Sequence, residues 1–138
     1  MSAGLSLEHY PLHLGLGASA MPQPAFTGAM DWYMAYASRT EGDGAEGRLV
    51  TMHSFTEDWT SWEMHPVGAE VLLCVAGEMT VIQEHPEGQV ERVTLAAGDY
   101  AINPQGVWHT ADIVDSATAV FITCGLGTEN RPRHLVAG

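Results

Sequence analysis

The chain contains no lysine; its five basic residues are Arg39, Arg48, Arg92, Arg131 and Arg133. Schiff-base and lysine-base mechanisms are thereby excluded. Positive charge is scarce overall. Seventeen acids against five arginines give a formal net charge of -12. Such a polyanion repels nucleic acid and anionic membrane surfaces, so neither is expected as a partner. Cysteine is also sparse. Cys74 and Cys124 sit singly in apolar runs with no CxxC pair, which argues against a zinc knuckle or a thioredoxin-type site and predicts buried free thiols. No apolar run reaches the ~20 residues of a membrane span. The opening stretch MSAGLSLEHYPLHLGLGASA lacks a basic region and does not read as a secretory signal. These absences together lead us to expect a soluble, cytoplasmic protein.

What is present reads as one domain of mostly short strands. The 138 residues fit a single core, and 46% of them are hydrophobic. Fifteen glycines and seven prolines supply many turns. Residues 1–47 read as an N-terminal extension packing on the rest. Its first 25 residues are expected to be irregular. Asp31–Arg39 (DWYMAYASR) carries Trp32 and Tyr36 at i, i+4 among alanine and methionine, which favours one short helix, although its aromatics also suit a strand. EGDGAEG (41–47) reads as a flexible acidic loop. From Arg48 the pattern turns to β. RLVTMHSF, SWEMH, EVLLCVA, EMTVIQEH, QVERVTL, YAIN, VWHTADI and TAVFITCG are separated by turn residues, and such spacing predicts a sandwich or barrel over residues 48–127. EVLLCVA, ended by Gly77, reads as a strand buried on both faces. Asn103-Pro104-Gln105-Gly106 suits a type I turn. Residues 128–138 are expected to form a polar, loop-like tail.

Four residues in this β region form a candidate metal site. Alternation puts Glu63 and His65 on one strand face. Glu70 returns beside them across the Pro66-Val67-Gly68 turn, and His109 arrives from a later strand. Two imidazoles with two carboxylates make a mixed N/O donor set suited to a divalent ion: Mn, Fe or Zn, with Ni a further candidate. The ion would offset the repulsion between two buried carboxylates.

The spacing of these residues resembles the cupin superfamily. Its first motif, G-x5-H-x-H-x3,4-E-x6-G, is matched by Glu63, His65, Glu70 and Gly77, with Glu57 in place of the leading glycine and Glu63 in place of the first histidine. Its second, G-x5-P-x-G-x2-H-x3-N, is matched by Gly98, Pro104, Gly106 and His109, with Ile113 in place of the final Asn. The resemblance implies an all-β double-stranded β-helix, the jelly-roll barrel, to which the residues read above add an irregular N-terminal segment and one short helix. It also implies metal-dependent chemistry on a small organic molecule in the barrel cavity, of oxygenase, isomerase or epimerase type. Glu63 is then a ligand, or a catalytic base if it is not one. The alternative is a non-catalytic cupin that binds or senses a small molecule.

The same alternation turns Trp62, Met64 and Trp108 outward. They are expected to pack on the N-terminal segment, on the second sheet or on a partner subunit, the last making a homodimer. Leu72 and Cys74 point inward with Glu70. His53 reads as an ordinary core or surface residue that could line the cavity. Asn103 and Gln105 serve the turn or the pocket mouth. Arg131 and Arg133 either cover the mouth and pair with an anionic ligand or, the favoured reading, belong to a solvated tail.

Overall fold

A computed structural model describes residues 3–134. Ten strands and one α-helix follow in order: β1 (Leu12–Gly15), β2 (Ser19–Pro22), α1 (Met30–Thr40), β3 (Arg48–Phe55), β4 (Ser61–Met64), β5 (Glu70–Glu84), β6 (Val90–Ala96), β7 (Tyr100–Asn103), β8 (Trp108–Asp112), β9 (Ala117–Thr123) and β10 (Glu129–Pro132). All pairings are antiparallel. They form two sheets that share β5. The first half of β5 pairs β7 and β9, and β9 leads on to β3, β1 and β2. The second half pairs β6 and β8, and β8 leads on to β4 and β10. This is the all-β sandwich or barrel expected from the strand spacing, in the jelly-roll form that the cupin resemblance implies.

The single strand β5 covers what the sequence divides into EVLLCVA and EMTVIQEH. Gly77 bends the strand instead of ending it. Its φ is 72°, and a Cβ there would lie 2.0 Å from the Ser116 carbonyl oxygen. Only glycine lets the two chains approach so closely in that backbone conformation. A bulge between Cys74 and Ala76 adds to the bend. The first half of β5 is not buried on both faces. Glu70, Leu72 and Cys74 are buried, while Val71 and Leu73 are half-buried. Leu72 and Cys74 join Met79, Val81, Leu95 and Phe121 in the core that fills the space between the sheets. Both cysteines are buried and free.

Two expectations for the chain ends need correcting. The lead-in is irregular only in part, because β1 and β2 form a hairpin that extends the first sheet through β3. The tail is not wholly loop-like, because β10 pairs with β4. Residues 1–2, and residues 135–138 of the tail, lie outside the described residues. All three strands are only four residues long, too short for a hydrophobic pattern to show in the sequence.

The outward tryptophans are answered within the chain. Arg131 of β10 sits opposite Trp62 of β4. Its guanidinium lies 5.1 Å from the Trp62 ring centroid and 4.6 Å from that of Trp108. It also donates to Glu84 at 2.8 Å. Arg133 donates to Asp112 and to the carbonyls of Trp59 and Ala111. Both arginines are therefore part of the fold, not a solvated tail, and the cation–π stack covers apolar surface that would otherwise face water.

Candidate metal centre

The centre is assembled by strand register. Glu63 on β4 pairs directly with His109 on β8, and His109 pairs with Gln83 on β5. His65 follows just beyond β4, and Glu70 opens β5 opposite Asn103 on β7. The turn carrying the second motif is stitched onto the first. Gly106 N–H donates to the His65 carbonyl at 2.9 Å, and Gln105 Nε2 donates to the Pro66 carbonyl at 2.7 Å. This also shifts the expected turn by one residue. Val107 N–H bonds the Pro104 carbonyl, and Gly106 takes φ 78° at the third position. A positive φ there belongs to a type II turn rather than a type I turn.

All four expected residues meet at one point. His65, Glu70 and His109 are buried, while Glu63 is half-exposed. The Glu70 carboxylate lies between the imidazoles, 3.1 Å from His65 Nε2 and 3.2 Å from His109 Nε2. Glu63 stands 4.0 Å and 3.9 Å from the same two nitrogens. Donor atoms of Glu63, His65 and His109 all fall within 4.8 Å of one another, an arrangement that could hold a metal ion.

The hydrogen bonds around the centre say what it is built to accept. Glu70 receives Asn103 Nδ2 at 3.0 Å and Thr123 Oγ1 at 2.6 Å, and Gln83 holds Asn103 in turn at 2.9 Å. Thr128 Oγ1 donates to the Gly125 carbonyl, so it is left to accept from His65 Nδ1 at 2.8 Å. That fixes the proton of neutral His65 on Nδ1 and turns the Nε2 lone pair toward the centre. Despite their short distances, neither Nε2 is aligned for a hydrogen bond with Glu70. Both are buried and without a partner among the described residues. Neutral His65 thus turns an acceptor toward a carboxylate, and His109 has no partner on either ring nitrogen, so a positive charge between them, a proton or a metal ion, would relieve the contact.

The ionisation tendencies agree. Burial alone would lower the pKa of His65, but the Glu70 carboxylate, with Glu63 behind it, holds it above the ordinary value. Burial would raise Glu70, but its contacts with His109 and His65 hold it well below the usual carboxylate range. Glu63 is pushed up, first by withdrawal from water and then by the negative charge of Glu70. A cation at this point reverses the repulsion between the two acids. Glu63, His65 and His109 thus fit a divalent ion by geometry, and the buried negative charge of Glu70 beside them favours one.

A cavity of about 940 Å³ opens onto the centre. His53, Phe55, Trp59 and Phe121 line one side. His53 is therefore a wall residue, and burial among aromatics lowers its pKa. Met30, Tyr33, Tyr36, Ala37 and Thr40 of α1 line another side. Trp32 anchors that helix by stacking on Tyr36, packing edge-on against Phe26 and donating to the Pro24 carbonyl.

One polar cluster escaped sequence reasoning. His13, fully buried on β1, lies 2.6 Å from the Tyr36 hydroxyl through Nδ1 and 2.6 Å from Asp43 through Nε2. A Cβ on Gly15 would strike Asp43 and His13, and one on Gly47 would crowd the same pair. Asp43 comes from the 41–47 segment, expected as a flexible loop but folded here into tight 3-10 turns. The cluster ties α1 and that segment to the barrel. Burial pushes the Tyr36 hydroxyl up to about 12. Its three members lie 23 and 30 residues apart in sequence, and no short-range pattern signals them.

The position of the motif Asn holds Ile113, which is buried in the core and donates its N–H to Asp58. Comparison with known proteins agrees with the geometry. Residues 51–125 match the Cupin domain family. No curated protein matches the chain. Among solved structures, oxalate oxidase in complex with the substrate analogue glycolate is similar with a TM-score of 0.56 and 17% identity, over 69% of this chain and 50% of that one. A second oxalate oxidase structure gives 0.55 and 18%, over 67% and 50%. A cupin-2 domain containing protein from Shewanella frigidimarina gives 0.47 and 19%, over 62% and 71%. The chain thus spans half the length of the oxalate oxidases it resembles, and at these identities the likeness is one of fold.

Proposed function

Because the chain belongs to the cupin domain family, we propose that it is a metal-binding cupin, an enzyme acting on a small organic molecule in the barrel cavity. The observation that supports this reading best is the pair of buried, unpartnered Nε2 atoms of His65 and His109 facing the Glu70 carboxylate. Glu63, His65, Glu70 and His109 would hold the ion. Two imidazoles and two carboxylates suit Mn, Fe or Zn, with Ni a softer alternative. When bound, the ion supplies Lewis acidity, and iron adds the ability to activate O₂. Oxygenase, isomerase and epimerase reactions all use such a centre.

The chain's own residues have separable parts in this proposal. Asn103 and Thr123 orient Glu70, and Thr128 orients His65, the outer hydrogen bonds that keep ligand lone pairs aimed inward. Glu63 is the most solvent-open of the four and borders the cavity. Its raised pKa suits a group that takes or returns a proton. Glu63→Gln separates its two roles: a base leaves metal content intact on substitution, whereas a ligand loses it.

The size and aromatic wall of the cavity favour a second reading, a non-catalytic small-molecule binder or sensor. Metal analysis after expression with Mn, Fe or Zn distinguishes the two. Near-stoichiometric metal that His109→Ala abolishes supports the metal-binding proposal, and absence of metal under every supplement contradicts it. A cytoplasmic location and a homodimer complete the proposal. Sedimentation showing only monomer contradicts the dimer. Among the described residues, no helix is long and apolar enough to cross a membrane.

A further inference from the structure

The cavity wall is chemically one-sided. Glu57, Asp58, Glu63 and Glu70 all line it, and no arginine does. With no lysine in the chain, the wall carries no permanent cation. Four of the five arginines are engaged elsewhere. Arg39 is on Gln23, Arg92 and Arg133 are on Asp112, and Arg131 is on Glu84. Arg48 lies on β3 outside the lining set. An anionic ligand would meet carboxylates and no arginine.

Between those acids the wall is aromatic. Phe55, Trp59 and Phe121 pack against one another with ring centroids 5.4–6.1 Å apart. Facing them, Met30, Tyr33, Ala37 and Thr40 recur at i, i+3, i+7 and i+10, so one face of α1 is turned to the cavity. Two further observations point to a ligand. His65, buried and lining this space, has an unpartnered Nε2. Trp59 Nε1 is buried with no acceptor among the described residues.

We propose that the cavity takes a small aromatic cation, a ring carrying an ammonium group, and turns away the matching carboxylate. The ring would pack among Phe55, Trp59 and Phe121, which also offer faces to a positive charge. Glu57 and Asp58, at the outer part of the wall, would meet the ammonium. A phenolic oxygen on the ring would give Trp59 Nε1 the acceptor it lacks. This assignment rests on the cupin reading of the cavity as the ligand site, and it names the class of molecule that reading leaves open.

The test uses two probes of one shape and opposite charge, tyramine and 4-hydroxyphenylacetate, by calorimetry on zinc-loaded and on chelator-treated protein. Tyramine is expected to bind at least about tenfold more tightly to chelator-treated protein, where only it meets opposite charge, and by a smaller margin to zinc-loaded protein, where the ion offers the carboxylate a counter-charge. The preference should narrow as salt rises and the carboxylates are screened. Tyr33→Leu, at a partly exposed helix position on the cavity wall, should weaken tyramine binding several-fold. Equal or tighter binding of 4-hydroxyphenylacetate in either form overturns the proposal, as does failure of both probes to bind. If zinc does not bind, the metal reading fails by itself, and the chelator-treated protein still tests this one.

Discussion

Replacing Glu70 by Gln tests how the centre holds charge. The substitution keeps the shape and removes the negative charge between His65 and His109. It also removes an acceptor, because Asn103 Nδ2 and Thr123 Oγ1 both donate to Glu70 and a Gln side chain has one carbonyl oxygen for the two. Breaking a buried ion pair in this way costs about 3 kcal/mol. For a chain of 138 residues that is roughly a 10 °C fall in Tm.

The cost should depend on pH in the metal-free protein. Glu70 is depressed below the ordinary 4.5, so its contribution is fully present above 4.5 and is lost as pH falls toward its folded value. His65 is raised above the ordinary 6.5, so its contribution is fully present below 6.5 and is lost as pH rises through its folded value. The pair therefore stabilises most between about 4.5 and 6.5. Urea titration of chelator-treated wild type and Glu70→Gln at pH 3.5, 5.5 and 8 reads the difference. The gap should be widest at pH 5.5 and shrink on both sides, to about 1–2 kcal/mol of lost hydrogen bonding at pH 8. A gap that is flat with pH, or largest at pH 8, refutes the charge arrangement described above.

Other consequences follow from single contacts. Gly77→Ala places a Cβ on the Ser116 carbonyl in a left-handed backbone conformation. It should cost about 3 kcal/mol or more or prevent folding, as read by circular dichroism melts. Arg131→Ala removes the stack between Trp62 and Trp108 together with the bond to Glu84. It should cost about 1–2 kcal/mol and red-shift tryptophan fluorescence, with metal content unchanged. Asp43→Asn should loosen α1, read as faster amide exchange over residues 30–40. Contact with His13 depresses Asp43, so its stabilising effect is present above the ordinary carboxylate range and lost as pH falls through the folded value.

Strand spacing made the barrel legible, and two motifs, one ending at Gly77 and the other starting at Gly98, made the centre legible. Alternation along SWEMH placed Glu63 with His65, and the register of β4 on β8 then brought His109 to Glu63. The misses share a cause, which is that tertiary contacts settled what local pattern left open. Gly77 reads as a stop because the sequence does not show Ser116 beside it. β10 reads as tail because its partner β4 is more than sixty positions away. Arg131 reads as solvated because the two tryptophans that hold it lie on other strands. His13, Tyr36 and Asp43 carry no mutual spacing at all. Asn103 was visible as a turn residue, but its bond to Glu70 depends on the β5–β7 register.

The central claim is that Glu63, His65, Glu70 and His109 enclose one divalent ion. Anomalous diffraction at the metal edge, from crystals of protein loaded with Mn, Fe or Zn in turn, addresses it most directly. A single peak enclosed by the four side chains, absent from His65→Ala/His109→Ala crystals, is the predicted result. A peak elsewhere on the chain, or none from any of the three metals, contradicts it.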